Sequence, residues 1–457
     1  MDVEMTEVRH GKNPRKTVDF PKREISEYGV KALVDGGSIT PKQSPCHYDH
    51  QLRITRALVS TSIAAYDKSA HSVERPMQCL EALPSTGVPS LLWTKHLSSE
   101  LTKFHSNCSS DKLMLDRVTE NVKLNHLDGK VNLLSFDPFS VNNDHSFFNF
   151  IYLEGFANSA QYLDGIFRRM PRKGLVAIST VDDPALSCKT PEVAQRLYGG
   201  LTGKTLYYKE LGARLILSAV ARSAARANRG IKVLWCYCFK SCLSMLVQVD
   251  KGPAKANECL KNVSPLIHCN ICEERVFYPN SIYVIENPYS LLPCSCNSKV
   301  PGKTAISIGP VWSGELNDPS FINKMISESS SLPWNSEISE VLNQLLEEGV
   351  CSSANPTLEA VEVPPENGEG VIQDLPKKKV RREIQLENNI APPFYFNLHT
   401  NRPKDSKMVK ADKVVTFLRN TGFRASRTHF DREAVKTNAS VEELLKIIRT
   451  GSHTVHE

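Results

Sequence analysis

The sequence predicts an α/β protein built on an open, mostly parallel, doubly wound sheet, with a smaller α+β part at its C-terminal end. Three observations carry that prediction. The apolar run FNFIYL (Phe148 to Leu153) stops at Glu154, Gly155, Phe156 and Ala157, and helical spacing resumes through Ala160, Tyr162, Leu163, Ile166 and Phe167. Two more β-type runs, Val131 to Phe136 and Gly174 to Thr180, also lead into acids, Asp137 and Asp182, and an amphipathic stretch precedes the first of them at Asp116 to Leu127. Strands alternating with helices mean a parallel sheet, and ligands of such sheets bind in the crevice beyond the strands' carboxyl ends. The turn at Glu154 to Ala157 is therefore the first place to look for chemistry, against the plainer reading of an ordinary connection.

The 457 residues carry a net charge of +6 and 13 cysteines at irregular spacing. This length allows two or three domains. The charge is too modest to imply nucleic acid without looking at where Lys and Arg fall, and the cysteines, with no N-terminal apolar leader, point to a reducing compartment without disulfides. The most apolar stretch, Ile231 to Val249, is broken by Lys232, Lys240, Ser241, Ser244 and Gln248, which favours a hairpin over a membrane span. A soluble monomer is expected.

Along the chain, residues 1–45 have no sustained period and read as a flexible basic arm. A Rossmann-like domain is expected over 46–255. It begins with a helix near Asp49 to Tyr66, and a short strand ending near Glu81 is followed by a turn containing Gly87, where backbone amides could approach a nucleotide-type ligand. Between Glu210 and Arg229, Arg214, Arg222, Arg226 and Arg229 fall within about 120° of helical arc, a basic stripe that suits phosphates or a solvated face equally well.

In the next segment, 256–350, Cys269 and Cys272 form a CxxC and Cys294 and Cys296 a CxC. Two thiol pairs on turns can bring four thiolates to one tetrahedral Zn²⁺, and four thiolates leave no open position for catalysis. Free cysteines are the alternative, and His268 is a lesser substitute ligand. Residues 351–391 lose apolar periodicity and read as a linker, in which Pro376 to Arg382, PKKKVRR, suggests an import receptor and a nuclear or nucleolar protein with a cytoplasmic pool. The last part, 392–457, interleaves aromatic and basic residues and suits RNA, with Arg424, Arg427 and His429 as candidate contacts.

Several stretches together resemble the tRNA (guanine-N2)-dimethyltransferase family: Leu206 to Ile231, HCNICEERVF with ENPYSLLPCSC, Pro301 to Leu316, PPFYFNLH, and Phe423 to Asp431. The resemblance spans most of the chain from about residue 45. It implies S-adenosylmethionine as methyl donor, tRNA as partner, and the exocyclic amine of a guanine at or beside position 26 as target. Arg214 and Arg222 lie in the first of these stretches. The family's Asp-Pro-aromatic-Gly turn corresponds to Glu154, Gly155, Phe156 and Ala157, so Glu154 is the implied acid and Phe156 the ring that stacks on the base. The implied cofactor residues are His50, where the family has Arg, then Glu81, Gly87, Ser109, where it has an acid, and Asp137. Asp137, Pro138 and Phe139 imitate the catalytic turn but follow the preceding strand, so catalysis is not assigned to them. Departures at the cofactor and catalytic motifs keep a second reading open, a catalytically impaired relative that binds tRNA without methyl transfer. A zinc-bearing DNA- or protein-interaction factor is a remote third.

Overall fold

The computed structural model describes residues 21–36, 46–69, 71–108, 112–134, 147–155, 159–181, 183–278, 287–300, 302, 304–353, 394–399 and 409–453. Its centre is a seven-stranded sheet. The strands are β3 (Met77–Glu81), β4 (Thr102–Asn107), β5 (Val131–Leu134), β6 (Phe150–Gly155), β7 (Leu175–Thr180), β8 (Arg229–Phe239) and β9 (Cys242–Lys251), in the order β5-β4-β3-β6-β7-β9-β8. All neighbours run parallel except β9, which is antiparallel to both β7 and β8. The chain winds outward from β3 through β4 to β5, then returns to place β6 on the other side of β3. The gap between the β3 and β6 carboxyl ends is thus the topological switch point, where open α/β sheets take ligands. The Ile231 to Val249 stretch forms the expected hairpin of β8 and β9.

Successive residues of β6 explain the unbroken apolar run. Ile151 and Leu153 join one core with α4 (Leu163–Arg169) and α7 (Tyr208–Arg226), while Phe150 and Tyr152 join a second with α1 (Arg53–Ala64) and α2 (Val88–Leu97). A strand buried on both faces needs apolar residues at every position. Helix α1 adds buried hydroxyls, yet their polar atoms are accounted for: Ser62 and Thr61 donate to carbonyls four residues back and accept the indole N–H of Trp235 and Trp334.

Within the expected N-terminal arm, residues 21–36 are described and folded. Lys22–Glu27 (β1) and Val30–Asp35 (β2) form a two-residue hairpin, with positive φ at both Tyr28 (48°) and Gly29 (79°), the geometry that matches strand twist. Val30, Ala32 and Val34 are buried against the core of α1 and α2, and this alternation was the missed signal. Similarly, Pro319–Ser329 and Asn335–Ser352 (α10 and α11), expected in a separate domain, lay Ile322, Met325, Ile338, Leu342 and Leu345 on that same core.

The remainder comprises two small antiparallel sheets. Val263–Cys269 (β10) lies between Arg275–Phe277 (β11) and Ala305–Trp312 (β12). Tyr395–Asn397 (β13), Ala425–Arg427 (β14) and Ala434–Thr437 (β15) form the other, with β15 central and the helices Ala411–Asn420 and Val441–His453 covering it. The basic run at Pro376 to Arg382 lies outside the described residues. Among the described residues, no helix is long and apolar enough to cross a membrane.

Candidate active site

Two carboxylates mark the switch point. Glu81 closes β3 and Glu154 stands next to last in β6. Glu81 is 2% exposed and turned inward, accepting from the Ser90 N–H (3.3 Å), the Ser90 hydroxyl and the Ser106 hydroxyl (3.2 Å). Burial pushes its carboxyl up to about 7, against those hydrogen bonds and with the Glu154 charge adding to the rise. Glu154 is raised for the same first reason, with Arg56 pulling the other way. One of its oxygens, Oε1, accepts from Arg56 Nη1 at 3.2 Å, while Oε2 is buried with no hydrogen-bond partner. An open buried acceptor is costly unless something completes it.

Arg56 and Glu27 lie beside Glu154, and motif reasoning missed them. Arg56 is 1% exposed in α1, and its Nε and Nη2 grip both oxygens of Glu27 at 2.9 and 2.7 Å. Tyr48 donates to Glu27 at 2.5 Å, and the Asp49 carbonyl accepts from Arg56 at 3.0 Å. A signal existed: residues 52, 56, 59 and 63 form a stripe at heptad spacing, Leu52, Arg56, Val59 and Ile63, and a lone arginine in an apolar stripe must have a buried partner. Charge does not balance here. Glu27 and Glu154 share the guanidinium of Arg56, the Glu154 charge acts on Glu81, and the neighbouring Arg53 is paired with Glu337. Such a surplus of buried carboxylate suits a cationic ligand, because a positive charge is what would relieve it.

The other expected cofactor residues divide. Gly87 caps the N-terminus of α2 with φ at 76°, and a side-chain carbon there would come within 2.8 Å of Val118 Cγ1. Its glycine is thus required by backbone conformation and by packing on α3 (Lys112–Leu124), whatever binds beyond. His50 opens a short 3₁₀ turn and is exposed. Ser109, Asp137, Phe156 and Asp182 lie outside the described residues.

The cysteines do come together. The Sγ atoms of Cys269, Cys272, Cys294 and Cys296 all lie within 4.8 Å of one another. Sulfurs about 3.8 Å apart are what a tetrahedral Zn²⁺ with bonds of about 2.3 Å requires, so a small contraction would suffice. His268 is not part of that cluster, and its Nδ1 is bonded to the Tyr207 hydroxyl at 2.8 Å.

A family model described as N2,N2-dimethylguanosine tRNA methyltransferase matches residues 29–355 and 358–449. The chain belongs to that family. The tRNA (guanine(27)-N(2))-dimethyltransferases of Bos taurus and Homo sapiens are each 32% identical to it over 94% of this chain, which spans 63% and 64% of their lengths. The tRNA (guanine(26)-N(2))-dimethyltransferase of Pyrococcus abyssi is 24% identical, covering 90% of this chain and 96% of its own. Among solved structures, Trm1 from Pyrococcus horikoshii with S-adenosyl-L-methionine superposes with a TM-score of 0.70 at 20% identity, over 93% of this chain and 100% of that one, a likeness of fold.

In this family member the five residues expected to touch RNA all make bonds within the fold. Arg214 is 2% exposed, bound to Glu210 at 2.8 Å and donating to the carbonyls of Trp312 and Gly314. Arg222 donates to the Ser218 and Tyr198 carbonyls. Arg226, which is exposed, pairs with Asp164 at 2.5 Å, and Arg229 caps the carbonyls of Met170 and Arg168, so all four arginines of the predicted stripe have partners within the fold. Arg424 reaches the Ser353 carbonyl, and Arg427 pairs with Asp412 at 2.8 Å. His429 donates to the buried Glu348 at 2.7 Å and stacks on Tyr237 of β8. The RTHF segment joins the C-terminal sheet to α11 and the central sheet through Thr428 and His429, while Arg427 stays within the C-terminal part.

Proposed function

We propose that this chain is an S-adenosylmethionine-dependent methyltransferase acting on the N2 amine of a guanine at position 26 of tRNA or beside it. The printed names of its relatives support the reaction class, and the higher identity to the guanine-27 enzymes favours position 27. The observation that carries the reading is the carboxylate surplus at the switch point, where Glu154 keeps an open Oε2. S-adenosylmethionine carries a positively charged sulfonium and an electrophilic methyl, and the turn after Glu81 through Gly87, with Ser109 and Asp137 contributing, would hold it. Guanine's exocyclic amine is a weak nucleophile because its lone pair is delocalised into the ring. Glu154 Oε2 would accept a hydrogen bond from that amine, orient it and draw off its developing positive charge, while the Phe156 ring stacks on a base taken out of the helix. Cys269, Cys272, Cys294 and Cys296 would hold a structural Zn²⁺.

Calorimetry with S-adenosylmethionine followed by methylation of a full tRNA set, with the modified guanine mapped, tests the reading. No cofactor binding at millimolar concentration would sink it. The turn Glu154-Gly155-Phe156-Ala157, with a longer acid than the family's Asp and no Pro, favours one second reading, a tRNA binder without transfer. That reading predicts salt-dependent tRNA affinity with no methyl incorporation. We also propose that Pro376 to Arg382 directs nuclear import, which deletion of the run and imaging would check.

A further inference from the structure

We propose that Arg56 is a positioning residue for the reacting acid: fixed from behind by Glu27 of the N-terminal hairpin, it holds Glu154 Oε1 and thereby reserves Oε2 for the substrate amine. This rests on the methyl transfer proposed above. The guanidinium is planar, and three of its sides are taken. Glu27 accepts from Nε (2.9 Å) and Nη2 (2.7 Å), the Asp49 carbonyl accepts a second bond from Nη2 (3.0 Å), and the Tyr48 ring lies 4.8 Å from its centre. A group gripped along one edge cannot swing, so Nη1 meets Glu154 at a set place, 3.2 Å from Oε1. Glu27 is itself anchored by Tyr48, and its strand is seated by the neighbouring β2, whose Val30, Ala32 and Val34 are buried. The chain of contacts therefore runs from the hairpin to the acid. It gives the hairpin, remote in sequence from the strand that bears Glu154, a part in the reaction.

The same contact sets the charge on Glu154. Burial favours the neutral acid; Arg56 opposes it first, and a hydrogen bond from the Tyr152 hydroxyl second. The other groups facing Glu154 are acids or weak acids: Glu27 from β1, Asp49 before α1, Glu81 from β3, Cys242 from β9 and Tyr152 on its own strand. Arg56 is the cation among them, so without it the carboxylate form loses its main support.

The test uses the full chain with Arg56→Gln and Arg56→Lys, read two ways. Infrared difference spectra, with the Glu154 band assigned through Glu154→Gln, follow ionisation of the acid without any substrate. The expected result is a midpoint moved upward by about one pH unit or more in Arg56→Gln and partly restored in Arg56→Lys. The second readout is single-turnover methyl transfer, where kcat should fall on the order of 100-fold with KM for tRNA little changed, and the rising limb of the pH profile should move with the infrared midpoint. An unmoved midpoint in Arg56→Gln overturns the proposal. If that variant does not fold, Glu27→Gln/Arg56→Gln, which removes both buried charges, answers the same question. Absence of transfer by the unmodified protein counts against the proposed function alone, because the infrared titration still reports on Arg56 and Glu154.

Discussion

Two clusters of buried charge lie at opposite ends of this molecule's logic. At the junction of the C-terminal sheet with the core, Glu210 and Glu348 are met by Arg214 and Lys436, with Lys436 3.1 Å from Glu210 and 3.9 Å from Glu348, and His429 adds its own donors. The charges balance. Burial alone would raise Glu348, but His429 and Lys436 hold it below the usual carboxylate range. At the switch point Arg56 is shared by Glu27 and Glu154, Glu81 is met by the Ser90 and Ser106 donors, and Glu81 and Glu154 are held above that range. Burial is deep in both places, though the Glu154 side chain keeps 13% exposure. The difference is whether the fold supplies the countercharge, and where it does not, a ligand is the remaining source.

The sharpest way to break this comparison is Glu154→Gln. Loss of the acid should lower kcat by about 100- to 10,000-fold, the usual worth of a positioned acid or base, while the melting temperature stays level or rises because a strained buried charge is gone. A matching fall in stability would mean that Glu154 is a joint like Glu348. The reverse experiment is Glu348→Ala, which leaves Lys436 without one partner. It should cost about 3–5 kcal/mol in chemical unfolding, with methyl transfer per folded molecule preserved. Gly87→Ala comes next: strain at positive φ and the contact with Val118 should cost about 1–2 kcal/mol in the same assay.

The smallest effect is a pH slope. Glu81 has a folded value near 7 against 4.5 for an ordinary carboxyl, so between those values the folded state binds the extra proton. Stability should therefore fall, on the order of 1 kcal/mol, as pH rises from 4.5 to 7, and this component should vanish in Glu81→Gln. Glu348 has the opposite sign: its folded value is depressed, so its contribution is present above about 4.5 and is lost as pH falls further. Unfolding free energies of Glu81→Gln and Glu348→Ala across pH 3–8 would separate the two.

Much of this was legible in the chain. The strand runs ending in Glu81 and Glu154, the hairpin of Ile231 to Val249 and the four cysteines are local patterns, and local patterns survive folding because burial on two faces or thiol chemistry demands those residues wherever they sit. The arginines were misread for a related reason. Spacing along a helix says which residues share a face, and Arg214, Arg222 and Arg226 do; it does not say whether water, RNA or another part of the chain covers that face. Here α7 is covered by β12 and by the carbonyls of Tyr198, Trp312 and Gly314.

The sequence by itself determined the α/β class and the family, and it set Glu154 at the end of its strand and the four cysteines in two close pairs, because each follows from residue type and near-neighbour order. Only the tertiary structure decided that Glu27 reaches through Arg56 to Glu154, and that Arg214 and His429 are structural. Those pairings join residues 98 and 81 positions apart, between Arg56 and Glu154 and between Glu348 and His429, and no local periodicity encodes a partner at that distance. What selects them is the cost of burying a charge alone, a cost that exists only once the sheet and its helices have closed over it.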